Sequence, residues 1–171
     1  MESKRTLASL GALLVGLSVT PAFAQRASGV PDCKNLQVAQ GVNERFEADY
    51  SQKQAEIQAH TSERLHHIDD TAKALISSGI WTDADRRTYF GKLRGSAAYS
   101  SGEKKKTELL FGMQMGRSEA VGLRASNPPG ACSYALSTLA QLDDLRKIID
   151  TQYDLIDKGL AEVERSKATQ P

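Results

Sequence analysis

The densest set of residues able to do chemistry is a run of three histidines, His60, His66 and His67, with Glu63 between them and Asp69 and Asp70 following. On a helix, His60 and His67 stand seven apart and Glu63 and His67 four apart, so all three project from neighbouring turns of one face. Imidazole and carboxylate together suit a divalent transition metal. A single surface site on His60, Glu63 and His67 is therefore the metal reading this sequence offers. Glu63 with His66 also makes one Glu-x-x-His element, the unit used by carboxylate-bridged di-iron bundles, but that chemistry needs a second such element on another helix. The sequence has none. Solvated helix faces are rich in His, Glu and Asp by default, and that is the expectation for these residues.

Other chemistries find less support. Axial haem ligation would call on Met113 and Met115, which are two apart and so point to different faces of a helix; covalent haem attachment would need Cys-x-x-Cys-His, which is absent. Core filling is the ordinary use of such methionines. Nucleophilic hydrolysis lacks a Gly-x-Ser-x-Gly elbow. The two cysteines, Cys33 and Cys132, have no Cys-x-x-Cys spacing and no adjacent His, so a structural disulfide between them is expected in place of metal ligation or redox catalysis. No enzyme and no cofactor is expected.

Where these residues work is indicated by the first two dozen. Lys4 and Arg5 precede an apolar run from Leu7 to Val19, then Pro21 and Ala22-Phe23-Ala24, the pattern of a secretory signal peptide cleaved after Ala24. The apolar core is about 13 residues, short of the roughly 20 that span a bilayer as a helix, and no later segment is longer. A soluble periplasmic protein is expected, in a compartment where paired thiols persist. The expected parts are a signal peptide over 1–24, a flexible mature N-terminus over 25–32, one helical domain over 33–167 and a disordered tail over 168–171. The mature chain keeps 22 − 2 = 20 basic and 21 − 1 = 20 acidic residues. Nucleic-acid binding, which draws on a clustered basic excess, is not expected; Lys104-Lys105-Lys106 is the nearest thing to a cluster.

The elements that must position these residues are helices. Leu36, Ala39, Val42, Phe46, Tyr50, Ile57, Leu65, Ile68, Ala72, Leu75 and Ile76 recur mostly at three- and four-residue steps, which predicts one long helix, capped by Asp32 and stopped at Ser77-Ser78-Gly79. Its face is thin in apolar residues between Tyr50 and Leu65, where a groove, a bend or a binding stretch around Gln52 to Glu63 is expected. Thr82 and Asp85 predict a capping box at the next helix start. That helix runs through Tyr89, Phe90 and Leu93, meets an interruption at Ser100-Ser101-Gly102, and resumes to Leu123. Gly91 with Gly95, and Gly112 with Gly116, lie four apart and mark close helix contacts. After Asn127-Pro128-Pro129-Gly130, a clean seam of Leu139, Leu142, Leu145, Ile149, Tyr153, Ile156, Leu160 and Val163 predicts a last long helix. A bridge brings its two Cα atoms within about 7 Å, so the first and last helices must start at the same end. That condition favours an all-α, elongated up-down-up three-helix bundle with its middle helix kinked near Gly102 and one disulfide; the alternative is a four-helix bundle.

By elimination, the expected function is protein–protein interaction in the envelope, as a chaperone, adaptor or accessory subunit, with no membrane span. The alternatives are an inhibitor or immunity protein against a toxin or wall hydrolase, and a metal-binding or metal-sensing protein.

Overall fold

A computed structural model describes residues 29–168 of the chain. The expected signal peptide of residues 1–24, the adjoining residues 25–28 and the tail beyond Ala168 lie outside the described residues. Four helices carry the rest: α1 (Leu36–Ser77), α2 (Asp83–Arg94), α3 (Ala97–Gly122) and α4 (Pro128–Ala168), with no strand among the described residues. At 1.5 Å per residue, α1 and α4 are each about 60 Å long.

Helix ends follow local chemistry, with two corrections. Asn35, not Asp32, caps α1, its side chain accepting from the Val38 amide at 3.2 Å. Asp32 is already engaged in a turn of its own: its carboxylate accepts from the Lys34 amide at 3.0 Å and its carbonyl from that of Asn35 at 3.1 Å. The end of α1 falls where expected, with Gly79 at φ 75° supplying the left-handed residue that stops the helix. Thr82 and Asp85 form the expected capping box of α2. The break in the middle of the chain is the second correction. It lies at Gly95 and Ser96, where the Ser96 hydroxyl accepts from the Tyr99 amide, whereas Ser100, Ser101 and Gly102 sit inside α3. Gly102 does not break the helix; a Cβ there would fall 2.8 Å from Nε2 of Gln152, so its bare backbone admits that side chain. Before α4, Asn127 Oδ1 accepts from the Gly130 amide at 3.1 Å, and Pro128 opens the helix where first-turn amides have no intrahelical partner. Pro128, Pro129 and Gly130 are thus the first turn of α4.

Direction and register can be read from cross-helix pairs. Lys53 with Asp143, His60 with Asp150 and Arg64 with Asp154 are each separated by 90 residues, a constant offset that makes α1 and α4 parallel. Between α3 and α4 the pairs run the other way, Gly102 against Gln152, Gly112 against Gln141 and Gly116 against Thr138. Those two helices are antiparallel. The Cys33–Cys132 disulfide closes the common end of α1 and α4, with Cα atoms 5.7 Å apart.

Two apolar clusters form the core. One gathers Ala39, Val42, Phe46, Tyr50 and Ile57 of α1 with Met113 and Ala120 of α3 and Ala135, Leu142 and Leu145 of α4. The other gathers Ile68, Ala72 and Leu75 with Trp81, Ile156 and Leu160, and Tyr89 and Phe90 pack against it. Trp81 and Tyr89 rings lie 5.1 Å apart, the expected aromatic cap where α1 passes to α2. Leu36 and Leu65, counted on the apolar face of α1 from their spacing, are 54% and 53% exposed.

Close contact at glycine is real at some sites and absent at others. Tyr89 donates its hydroxyl to the Ile156 carbonyl at 3.2 Å, and it reaches there across Gly159, where any Cβ would collide with the phenol oxygen. Gly116 meets Thr138 in the same way, while Gly91 faces open space. Gly159→Ala and Gly116→Ala should each lower stability by about 1–3 kcal/mol through overpacking. Gly91→Ala should raise it by about 0.5–1 kcal/mol, the helical preference of Ala over Gly. Urea unfolding of the three variants checks both signs.

Candidate interaction surface

The histidines are not brought together. His60 turns towards α4, where its Nε2 lies 2.5 Å from Asp150 Oδ1, while Glu63, His66 and His67 are exposed. Among the described residues no group of three His, Cys, Asp or Glu side chains is placed to hold a metal ion. His60 instead belongs to a set of polar rungs linking α1 to α4. Lys53 pairs with Asp143, and Arg64 donates to Asp154 and Asp157 at 2.8 Å each while its guanidinium stands 5.6 Å from the Tyr153 ring centre. These rungs occupy the stretch where α1 is thin in apolar residues, and the hydrogen bond to Asp154 holds the Arg64 proton more firmly than usual. Removing Glu63 and His67 together as alanines should change stability by no more than about 0.5 kcal/mol, as surface substitutions do. His60→Ala should cost about 1 kcal/mol, the usual worth of one hydrogen bond. Urea titrations test this, and micromolar zinc binding by tag-free protein, abolished when His60, Glu63 and His67 are all changed to Ala, would show that the three act as a metal site after all.

Other polar contacts hold helices together. Arg117 of α3 pairs with Glu47 of α1 and stands 4.9 Å from the Tyr50 ring centre; its hydrogen bond holds the Glu47 carboxyl below the usual glutamate range. Gln152, nearly buried on α4, donates to the Tyr99 carbonyl at 3.3 Å and to Glu103 at 2.9 Å. Glu103 is also paired with Lys106 at 2.5 Å, and that contact chiefly lowers its pKa. Burial raises the phenol pKa of Tyr89 and Tyr153. None of these groups forms a nucleophile–base pair. Met113 is buried and Met115 half exposed, on different faces as their spacing requires.

What distinguishes the surface is the apolar side chains left outside. α3 fully buries only Met113 and Ala120 of its 26 residues. It leaves Leu110, Phe111, Met115 and Val121 between 47% and 67% exposed, with Phe111 the most open. Phe111 and Met115 are four apart and share one outward face. The window from Gln52 to Glu63 has the opposite character: its one buried apolar side chain is Ile57, and its neighbours are polar or small. Spacing could have flagged Phe111 and Met115 as a pair, but a period of three and four does not say which apolar face meets the core. A second feature is a groove of about 440 Å³ between α1 and α3, floored by Leu145, Ile149, Tyr153 and Ile156 of α4. It exists because α1 and α3 each pack along α4 while their backbones scarcely approach each other.

No helix among the described residues is long and apolar enough to cross a membrane. Compared with protein-family models, curated protein sequences and solved structures, the chain matches none.

Proposed function

We propose that this chain is an exported periplasmic protein that acts by binding another envelope protein, as a chaperone, adaptor or accessory subunit does, and not by catalysis. In this reading α2 and α3 serve as one interrupted leg of an elongated up-down-up bundle, and α3 offers the binding face. The observation that carries it is the exposure of Leu110, Phe111, Met115 and Val121 on a helix that gives the core only two fully buried residues. Exposed apolar side chains gathered on one element mark interaction sites more often than scattered ones do. Interface cores favour aromatic residues and Met. The disulfide is compatible with an oxidising compartment.

Phe111→Ser with Met115→Ser is the test. Both side chains are at least half exposed, so the double variant should unfold within about 0.5 kcal/mol of the parent, as surface changes do. Pull-down from envelope extract with the oxidised mature protein should recover a partner that this variant fails to retain. Equal recovery by parent and variant would remove α3 as the binding face. Recovery of no partner under either condition would count against the interaction reading as a whole.

A further inference from the structure

The geometry points to a second site, apart from the Phe111 and Met115 pair: the groove between α1 and α3 binds a single-chain carboxylate amphiphile, its alkyl chain in the groove and its head group on Arg87 and Arg94 of α2. The walls of the groove are apolar, built by Leu65 and Ile68 of α1, Phe90 of α2, Leu110 of α3, and Ile149 and Tyr153 of α4. Its volume, about 440 Å³, lies within the range of small-molecule sites, about 300–1,000 Å³, and its lining has the usual character of apolar walls with few polar groups. The charged and amide groups inside bond one another, since Gln152 and Lys106 both bond Glu103, and the hydroxyls of Thr61, Tyr99 and Tyr153 complete the lining.

Leu65, Ile68 and Phe90 also line a neighbouring depression of about 450 Å³, whose other walls carry Arg86, Arg87 and Arg94. The two spaces therefore adjoin at these three side chains. Arg86 is committed to Asp69 at 2.7 Å, and Asp69 is further engaged by Lys73. Asp83, the remaining carboxylate there, sits in the first turn of α2, where the helix amides favour a negative charge. Arg87 and Arg94 are exposed and have no carboxylate partner among the described residues. Spaced three and four residues from Phe90, they project beside it on one face of α2. Two unpaired guanidinium groups beside an apolar trough complement a carboxylate, which accepts from Arg through two parallel hydrogen bonds.

Charge separates this occupant from an uncharged apolar segment, because the unpaired Arg87 and Arg94 call for an anionic head group. An alkyl chain is slender enough to lie along the floor between α1 and α3.

Calorimetry of the oxidised protein with sodium dodecanoate, below the concentration at which it forms micelles, should find one site per molecule. Dodecyltrimethylammonium, with the same chain and a cationic head, should bind at least about tenfold more weakly. Arg87→Glu with Arg94→Glu should weaken dodecanoate binding by about tenfold or more without moving the urea midpoint. Leu110→Glu, at the exposed rim, should weaken it as well. Three results would overturn the proposal: no heat from dodecanoate up to its micellar limit, equal binding of the two detergents, or several weak sites per molecule. A fourth would do so by reassigning the groove, namely an acidic amphipathic peptide that binds in an Arg87- and Arg94-dependent manner where dodecanoate does not. Partner retention by the arginine variant keeps this test distinct from that of the α3 face, because Phe111 and Met115, the residues changed there, do not line this groove.

Discussion

Reduction of the Cys33–Cys132 bridge should lower the free energy of unfolding by about 2–5 kcal/mol, and replacement of both cysteines by serine should do the same. The bridge joins residues 99 apart in sequence, so in the unfolded chain it closes a loop that includes all of α1, α2 and α3. Chain entropy puts the effect of such a loop at about 4–5 kcal/mol, with smaller values common in practice. Against a total stability of about 5–15 kcal/mol for a domain of this kind, that is a large share. Its local consequence should be concentrated at the start of α1. Leu36 and Val38 are exposed there, and Ala39 and Val42 are the first residues to enter the core. Urea titrations with and without dithiothreitol measure the global effect, and amide exchange over residues 33–42 measures the local one. Coincident urea curves in the two conditions would show that packing alone holds α1 beside α4.

Phe46→Ala should cost about 3–5 kcal/mol, the usual range for removing a buried ring. Phe46 is 1% exposed, its ring centre is 5.9 Å from that of Tyr50, and it sits in the cluster shared by α1, α3 and α4. The loss combines the transfer of the ring out of water with the cavity left behind, because three helices tied by a disulfide and polar rungs have limited freedom to close in. Phe111→Ala, the same change at a site 67% exposed, should cost no more than about 0.5 kcal/mol. Measuring the two side by side compares core with surface at constant chemistry. A loss below about 1 kcal/mol for Phe46 would be inconsistent with its burial.

Much of the fold was legible in the sequence, where local chemistry decides. The seam of α4 is apolar at every expected position, with Leu142, Leu145, Ile156 and Leu160 buried and Leu139, Ile149, Tyr153 and Val163 partly so. The capping box at Thr82 and the left-handed Gly79 were readable because each depends on residues within three or four positions. Misplacement of the middle break has the same origin. Ser-Ser-Gly at 100–102 and Gly-Ser at 95–96 are alike as local signals; in the fold the helix breaks at the second, and the bare backbone of Gly102 lies against Gln152 of α4. Asn is as competent a cap as Asp, so the capping of α1 could pass to Asn35. Asp32 was taken by its own turn.

The surface was less legible, for a different reason. Periodicity counted Leu36 and Leu65 as core, and the structure exposes both. It gave no warning that α3 would direct Phe111 and Met115 outward. A helical period identifies residues on a common face, but whether that face is covered depends on where the neighbouring helices end and at what distance they run. His60 shows the same limit. Its spacing to Glu63 and His67 suggested a shared ligand set, yet its partner is Asp150, 90 residues away on another helix.

By itself, then, the sequence determined that the described chain is helical, where most helices stop, and that its two cysteines could pair only if α1 and α4 start together, because capping, glycine conformation and helical period act over a turn or less. The tertiary structure alone decided which apolar faces meet, that polar rungs stand where α1 is thin, and that a groove remains between α1 and α3 next to a depression lined by Arg87 and Arg94. Those outcomes depend on contacts between residues far apart in the chain, whose energies are settled by the relative placement of whole helices and leave no trace in the order of neighbouring side chains.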